Sequence, residues 1–163
     1  MADRSRAEIG KANSRRGKQV ERDVVKWLRV NGFPHAERAV RTGYSNGDAY
    51  GPDLGDITGT PGLVWQVTDR ADIDQDAVLA TRLADTERQR AEANANFGLL
   101  VVKRRGVADP GRWWVHVGGW TFVDIYAGAF VATEFPCTVR TTLGEIVPIL
   151  RARGYGEPLE ENA

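Results

Sequence analysis

The run Gly55-Asp56-Ile57-Thr58-Gly59-Thr60-Pro61-Gly62-Leu63-Val64-Trp65-Gln66-Val67-Thr68 holds two β-prone segments around the turn Gly59-Thr60-Pro61-Gly62. That pattern predicts a β-hairpin. Leu63, Val64, Trp65 and Val67 are nearly continuous apolar residues, as expected of a central strand buried on both faces. The hairpin places an acid, Asp56, at the start of one strand and a second oxygen-bearing side chain, Gln66, ten positions later on its partner. Both side chains then reach one edge of the sheet. A hard cation held there by oxygen ligands and water is suited to activating water against a phosphodiester.

Outward from the hairpin, the pattern alternates between helix and strand. Val20, Val24, Trp27, Leu28 and Val30 recur near helical spacing from Lys18, and Asn31-Gly32 supplies a stop. Residues 1–17 are polar with little apolar period and predict a flexible basic arm. Residues 35–42 alternate as a strand does. Residues 43–55, with Gly43, Gly47, Gly51, Pro52 and Gly55, predict a loop. An acidic connection, Asp69–Asp76, leads to a polar helix over 76–95 with Val78, Leu79 and Leu83 on one stripe. Phe97–Lys103 and Arg112–Val117 are core strands. Trp120–Tyr126 is apolar in a way that suits helix or strand. Residues 142–153 read as a helix capped by Thr141 or Thr142, and 155–163 as a frayed acidic tail. The order of elements predicts one α/β domain over 18–154, a mixed central sheet flanked by helices.

The chain has 163 residues, enough for one domain. No apolar run approaches a membrane span, so no membrane partner is expected. The single cysteine, Cys137, and two histidines, His35 and His116, exclude an internal disulfide and a zinc centre built from cysteine. These features favour a reducing cytoplasm. Net charge is zero, but it is unevenly spread: residues 1–41 hold 11 Lys/Arg against 5 Asp/Glu, and residues 42–97 hold 4 against 10. A basic N-terminal third followed by an acidic middle suits a metal-dependent DNA enzyme, because phosphates want cations and divalent metals want carboxylates. A solvated surface of mixed charge is the plain alternative.

Three phrases extend the hairpin: Gly17-Lys-Gln-Val-Glu21-Arg-Asp23, Phe33-Pro-His-Ala-Glu-Arg-Ala-Val-Arg41 and Gly55-Asp-Ile-Thr-Gly-Thr-Pro-Gly62. Together, over about Gly17 to Val117, they resemble the PD-(D/E)xK nuclease superfamily, in particular its Holliday-junction-resolvase-like members of actinobacterial phages. The resemblance implies a restriction-endonuclease-like core, a Mg2+ or Mn2+ cofactor, and a homodimer acting on branched or duplex DNA in the host cytoplasm. It makes Asp56 the metal-binding aspartate and Glu21 the helix glutamate supporting the metal or its water. Gln66 stands where the family has an acid, and completes the implied metal ligands with Glu21 and Asp56. Thr68 stands where the family has its lysine. Threonine cannot supply positive charge, so the resemblance requires another cation, such as Arg70 or Lys103, or a catalytically weakened protein.

The residues by themselves leave alternatives open. Asp56 beside Gly55 also suits a turn, and Asp53 competes for the same role, although Ile57 begins the strand. Glu21 also suits an ordinary first-turn acid, and Gln66 a buried amide bonded to backbone. Lys18, Arg22, Arg38 and Arg41 are candidate phosphate contacts, with Arg15 and Arg16 reaching a groove from the arm. Three functions are therefore in view: a metal-dependent endonuclease on branched DNA, a catalytically silent DNA-binding relative, and a protein-interaction module that uses the fold as scaffold.

Overall fold

The computed structural model describes residues 6–39, 54–128 and 137–159. Its elements in chain order are α1 (Arg6–Val30), β1 (Glu37–Arg38), β2 (Ile57–Thr58), β3 (Leu63–Thr68), α2 (Asp76–Glu92), β4 (Phe97–Val102), β5 (Trp114–Gly118), α3 (Gly119–Ala127), β6 (Thr138–Thr142) and α4 (Leu143–Ala152), with a 3-10 turn at Pro110–Arg112 before β5. The strands form a six-stranded mixed sheet in the order β1-β2-β3-β4-β5-β6. Only β3 and β4 run parallel, and α2 makes the crossover between them; the other neighbours are antiparallel. A parallel pair needs such a crossover, whereas antiparallel neighbours need only turns.

Side-chain alternation along the strands divides the core. Leu99, Val101, Leu63 and Trp65 pack with Val20, Val24 and Leu28 of α1 and with Ile146 and Leu150 of α4. Leu100 and Val102 point the other way, toward Val78, Leu79 and Leu83 of α2. The period of two in a strand produces this split. Leu63, Val64 and Trp65 of β3 are buried, as their apolar run predicts, while Val67 is half-buried. The stripe Val20, Val24, Leu28 recurs every four residues and is what docks α1. That helix ends in a Schellman arrangement, in which Phe33 N–H reaches the Leu28 carbonyl at 3.0 Å while Gly32 takes a φ of +99°.

Three expectations are corrected and one strand is added. Helix α1 begins at Arg6, so residues 6–17 are helix, where low apolar content had suggested an arm. Helical propensity in Arg, Lys and Ala needs no buried stripe once the next turns are docked. The expected strand over 35–42 reduces to Glu37–Arg38 among the described residues, with Ala39 N–H adding one bond to the Asp56 carbonyl. Strand β6 was not foreseen; it pairs with β5 and ends at Thr142, which also caps α4. The described start of the tail is tied down: Glu157 N–H donates to the Gly32 carbonyl at 2.7 Å, and Tyr155 packs on Phe97. The Trp120–Tyr126 segment lies within helix α3. The expected loop falls mostly outside the described residues, as do Arg41 and Asp53. Among the described residues, no helix is long and apolar enough to cross a membrane.

Candidate functional site

Antiparallel pairing of β2 with β3 puts Ile57 opposite Trp65. Asp56 thereby lies beside Gln66, one step further along. Two bonds lock the pair: Asp56 N–H donates to the Trp65 carbonyl, and Val67 N–H donates to Asp56 Oδ2, each at 2.8 Å. The carboxylate is therefore oriented by the backbone of the strand it faces. Gly55 makes this approach possible. Its φ is +91°, and a Cβ there would stand 2.8 Å from the Trp65 carbonyl oxygen.

Helix α1 brings a second wall. Ser14, Gly17, Lys18 and Glu21 fall on one stripe at helical spacing and line the same cleft, of about 560 Å³, as Asp56, Gln66 and Thr68. Glu21 accepts a bond from Arg38 Nη1 at 3.3 Å, and the two side chains are only 18% and 25% exposed. Arg38, on β1, thus holds the helix acid against the sheet. From the opposite side, helix α2 contributes Arg82. The carboxylates Glu21 and Asp56 therefore share one concavity with Lys18, Arg38 and Arg82.

Gln66 is 7% exposed, and its buried Oε1 accepts no hydrogen bond among the described residues. An unsatisfied buried oxygen beside a carboxylate is a position for a cation. The donor set here is one of hard oxygens: Asp56, the Gln66 amide oxygen and Glu21. This set fits Mg2+ or Mn2+ better than a metal preferring nitrogen or sulfur. It carries only two formal charges, and no group of three His, Cys, Asp or Glu that could hold a metal occurs among the described residues.

The remaining sequence candidates fall as follows. Thr68 lines the cleft, but its hydroxyl accepts the Arg70 N–H at 3.3 Å and so also braces the turn after β3. Arg70 is not brought to Asp56. It forms a two-pronged pair with Asp72 at 2.8 and 2.7 Å and lines a neighbouring groove with Lys103. That pair holds the Asp72 carboxyl down to about 2. Arg16 lies 3.8 Å from Asp69. Arg15 and Arg22 are exposed on α1 and do not line the cleft. His35 is exposed beside Glu157, and His116 is buried in β5.

Sequence reasoning missed Ser14, Gly17 and Arg82. The first two were hidden by reading their segment as an arm. Arg82 carries a signal only in retrospect: it lies one turn from Val78 and Leu79, so it borders the docked stripe of α2. Compared with models of known protein families, with curated proteins and with solved structures, the chain matches none of them.

Proposed function

We propose that this protein is a divalent-metal-dependent endonuclease with a restriction-endonuclease-like core, cutting branched DNA as a homodimer. The observation that carries the reading is the single cleft in which Glu21, Asp56 and Gln66 meet Lys18, Arg38 and Arg82. These residues come from two helices and from three strands or their flanks, and they combine cation ligands with cations for phosphate. Junction resolution requires two symmetric cuts, hence two copies of the site. The lone thiol Cys137 suits work in a reducing cytoplasm.

In this reading Asp56, Gln66 and Glu21 hold Mg2+ or Mn2+, which when bound supplies Lewis acidity and lowers the pKa of a coordinated water. The chain's own groups do the rest. Val67 N–H fixes the rotamer of Asp56, and Arg38 fixes Glu21. Lys18 and Arg82 present positive charge to the phosphate. The charge that Thr68 lacks comes from Arg82, rather than from Arg70 or Lys103 as expected from the sequence. Arg82 lines the cleft, and its charge also reaches Asp72, helping Arg70 to hold that carboxyl down. Thr68 itself favours a second reading, a DNA-binding protein that keeps the cleft without cutting.

The test is cleavage of a labelled four-way junction, with a duplex control, in Mg2+ and in Mn2+, by wild type, Asp56→Ala and Thr68→Lys. Cutting that disappears in Asp56→Ala supports the nuclease. Binding without cutting, with cleavage gained in Thr68→Lys, supports the silent protein. Absence of DNA binding at moderate salt rejects both.

A further inference from the structure

A second groove, of about 290 Å³, adjoins the cleft at the same end of the sheet. The connection is short. Thr68 and Val102 are register partners at the ends of β3 and β4, and Lys103 N–H donates to the Thr68 carbonyl at 2.9 Å. The groove is lined by Lys103, Arg104 and Arg105, with half-buried Trp114 of β5 as part of its floor. Arg140 of β6 joins them: its guanidinium lies 4.6 Å from the Trp114 ring centre, and that of Arg104 lies 4.0 Å from it.

Two features separate this cluster from ordinary solvated charge. First, its cations carry no ion pair among the described residues. Several arginines elsewhere meet acids: Arg29 with Glu37, Arg88 with Asp85 and Glu92, Arg90 with Glu87. No ion pair occupies Lys103, Arg104, Arg105 or Arg140 among the described residues, and the groove contains one acid without a pairing arginine, Asp74, since Arg70 is neutralised by Asp72. Second, two guanidiniums are already ordered. Arg104 rests on the indole and also donates to the Arg112 carbonyl at 3.1 Å. Stacking on an aromatic face limits side-chain freedom while leaving guanidinium N–H groups directed outward, an arrangement suited to phosphate oxygens.

We propose that this groove, formed by Arg104, Arg105 and Arg140 around Trp114, binds the phosphodiester backbone of the DNA arm that leaves the Asp56 cleft; this rests on the nuclease reading above. The step from β3 to β5 is two strand spacings, about 10 Å, or roughly three phosphates at 3.4 Å per strand. A strand crossing the cleft therefore reaches the groove within a few nucleotides. The contacts read backbone and not bases, so they set affinity and register without sequence preference.

The experiment is binding of fluorescein-labelled four-way junction and duplex in EDTA, by anisotropy, across a salt series. Wild type is compared with Arg105→Ala/Arg140→Ala, whose side chains are exposed, and with Lys26→Ala/Arg88→Ala, which removes equal charge outside the groove; circular dichroism checks folding. The groove variant is expected to lower the log–log salt slope by about 2, one per lost phosphate contact, while the control pair leaves it unchanged. Tight binding by wild type with the same slope in the groove variant, or an equal drop in the control pair, overturns the groove and leaves the nuclease reading standing. Failure of wild type to bind either DNA overturns the nuclease reading, and the groove with it.

Discussion

Replacing Gln66 with methionine is expected to make the metal-free protein more stable and the metal-bound protein no better off. Gln66 is 7% exposed, between buried Trp65 and Val67's half-buried side chain, and its Oε1 accepts nothing among the described residues. A buried acceptor left without a donor costs about 1–3 kcal/mol. Methionine is near in volume and flexible enough to fill the same space, so repacking takes back only part of that gain. For a domain of 163 residues, each kcal/mol moves Tm by about 2–4 °C. Gln66→Met in EDTA should therefore melt a few degrees above wild type. Metal should act in the opposite sense. A divalent ion at about ten times its Kd stabilises wild type by about 1.4 kcal/mol, a further rise of roughly 3–6 °C. Gln66→Met, lacking the amide oxygen, should lose most of that rise. Differential scanning fluorimetry in EDTA and across a Mg2+ or Mn2+ titration measures both. A variant that melts below wild type in EDTA and keeps the full metal response would show Gln66 to be a satisfied structural amide, and the ligand argument would fail.

Three further outcomes follow from other parts of the structure. Arg82→Ala should cut four-way-junction cleavage by at least tenfold while leaving binding in EDTA within a few-fold, and Thr68→Lys in that background should restore cutting; equal loss of binding and cutting would make Arg82 an ordinary phosphate contact. Gly17→Ala meets open space within helix α1, so it should stabilise the fold by about 0.5–1 kcal/mol; reduced junction affinity in a better-folded variant would mark Gly17 as clearance for DNA. His116 is held below its ordinary value of 6.5, first by burial and then by the charge of Arg140. On acidification the unfolded chain takes up this proton before the folded one, so its contribution is present above pH 6.5 and declines as pH falls below 6.5 toward the lowered value. His116→Gln should flatten that part of a Tm-against-pH curve, and an unchanged curve would place the acid sensitivity elsewhere.

The hairpin and the buried strands were legible because their signals are local. Leu63–Val67 is apolar on both faces, and Gly59-Thr60-Pro61-Gly62 can hardly be other than a turn. Glu21, Asp56, Gln66 and Thr68 were all named from sequence and all line one cleft. What was not legible depends on tertiary partners. Residues 6–17 carry no buried stripe of their own, so their helicity is propagated from the docked turns that follow. β6 reads Thr-Val-Arg-Thr-Thr, with two of its five residues exposed, and is a strand because β5 offers an open edge. Arg70 looked close to the site, two residues beyond Thr68, but the Asp72 carboxylate captures it. Arg82 looked remote and is brought in by the crossover, whose path no spacing rule specifies.

The sequence-ordered sheet also bears on how the chain is made. Every described residue lining the cleft lies between Ser14 and Arg82, yet β3 has its second edge closed only by β4, Phe97–Val102. At 5–20 residues per second, the roughly 20 residues from Leu83 to Val102 take about 1–4 s to synthesise. For that interval the nascent chain already encodes the whole cleft while Leu63–Thr68 presents an unpaired, apolar strand edge of the kind that seeds aggregation. Codon choice between Leu83 and Val102 thus becomes part of the yield of folded protein, with fast translation through α2 and β4 shortening the exposure.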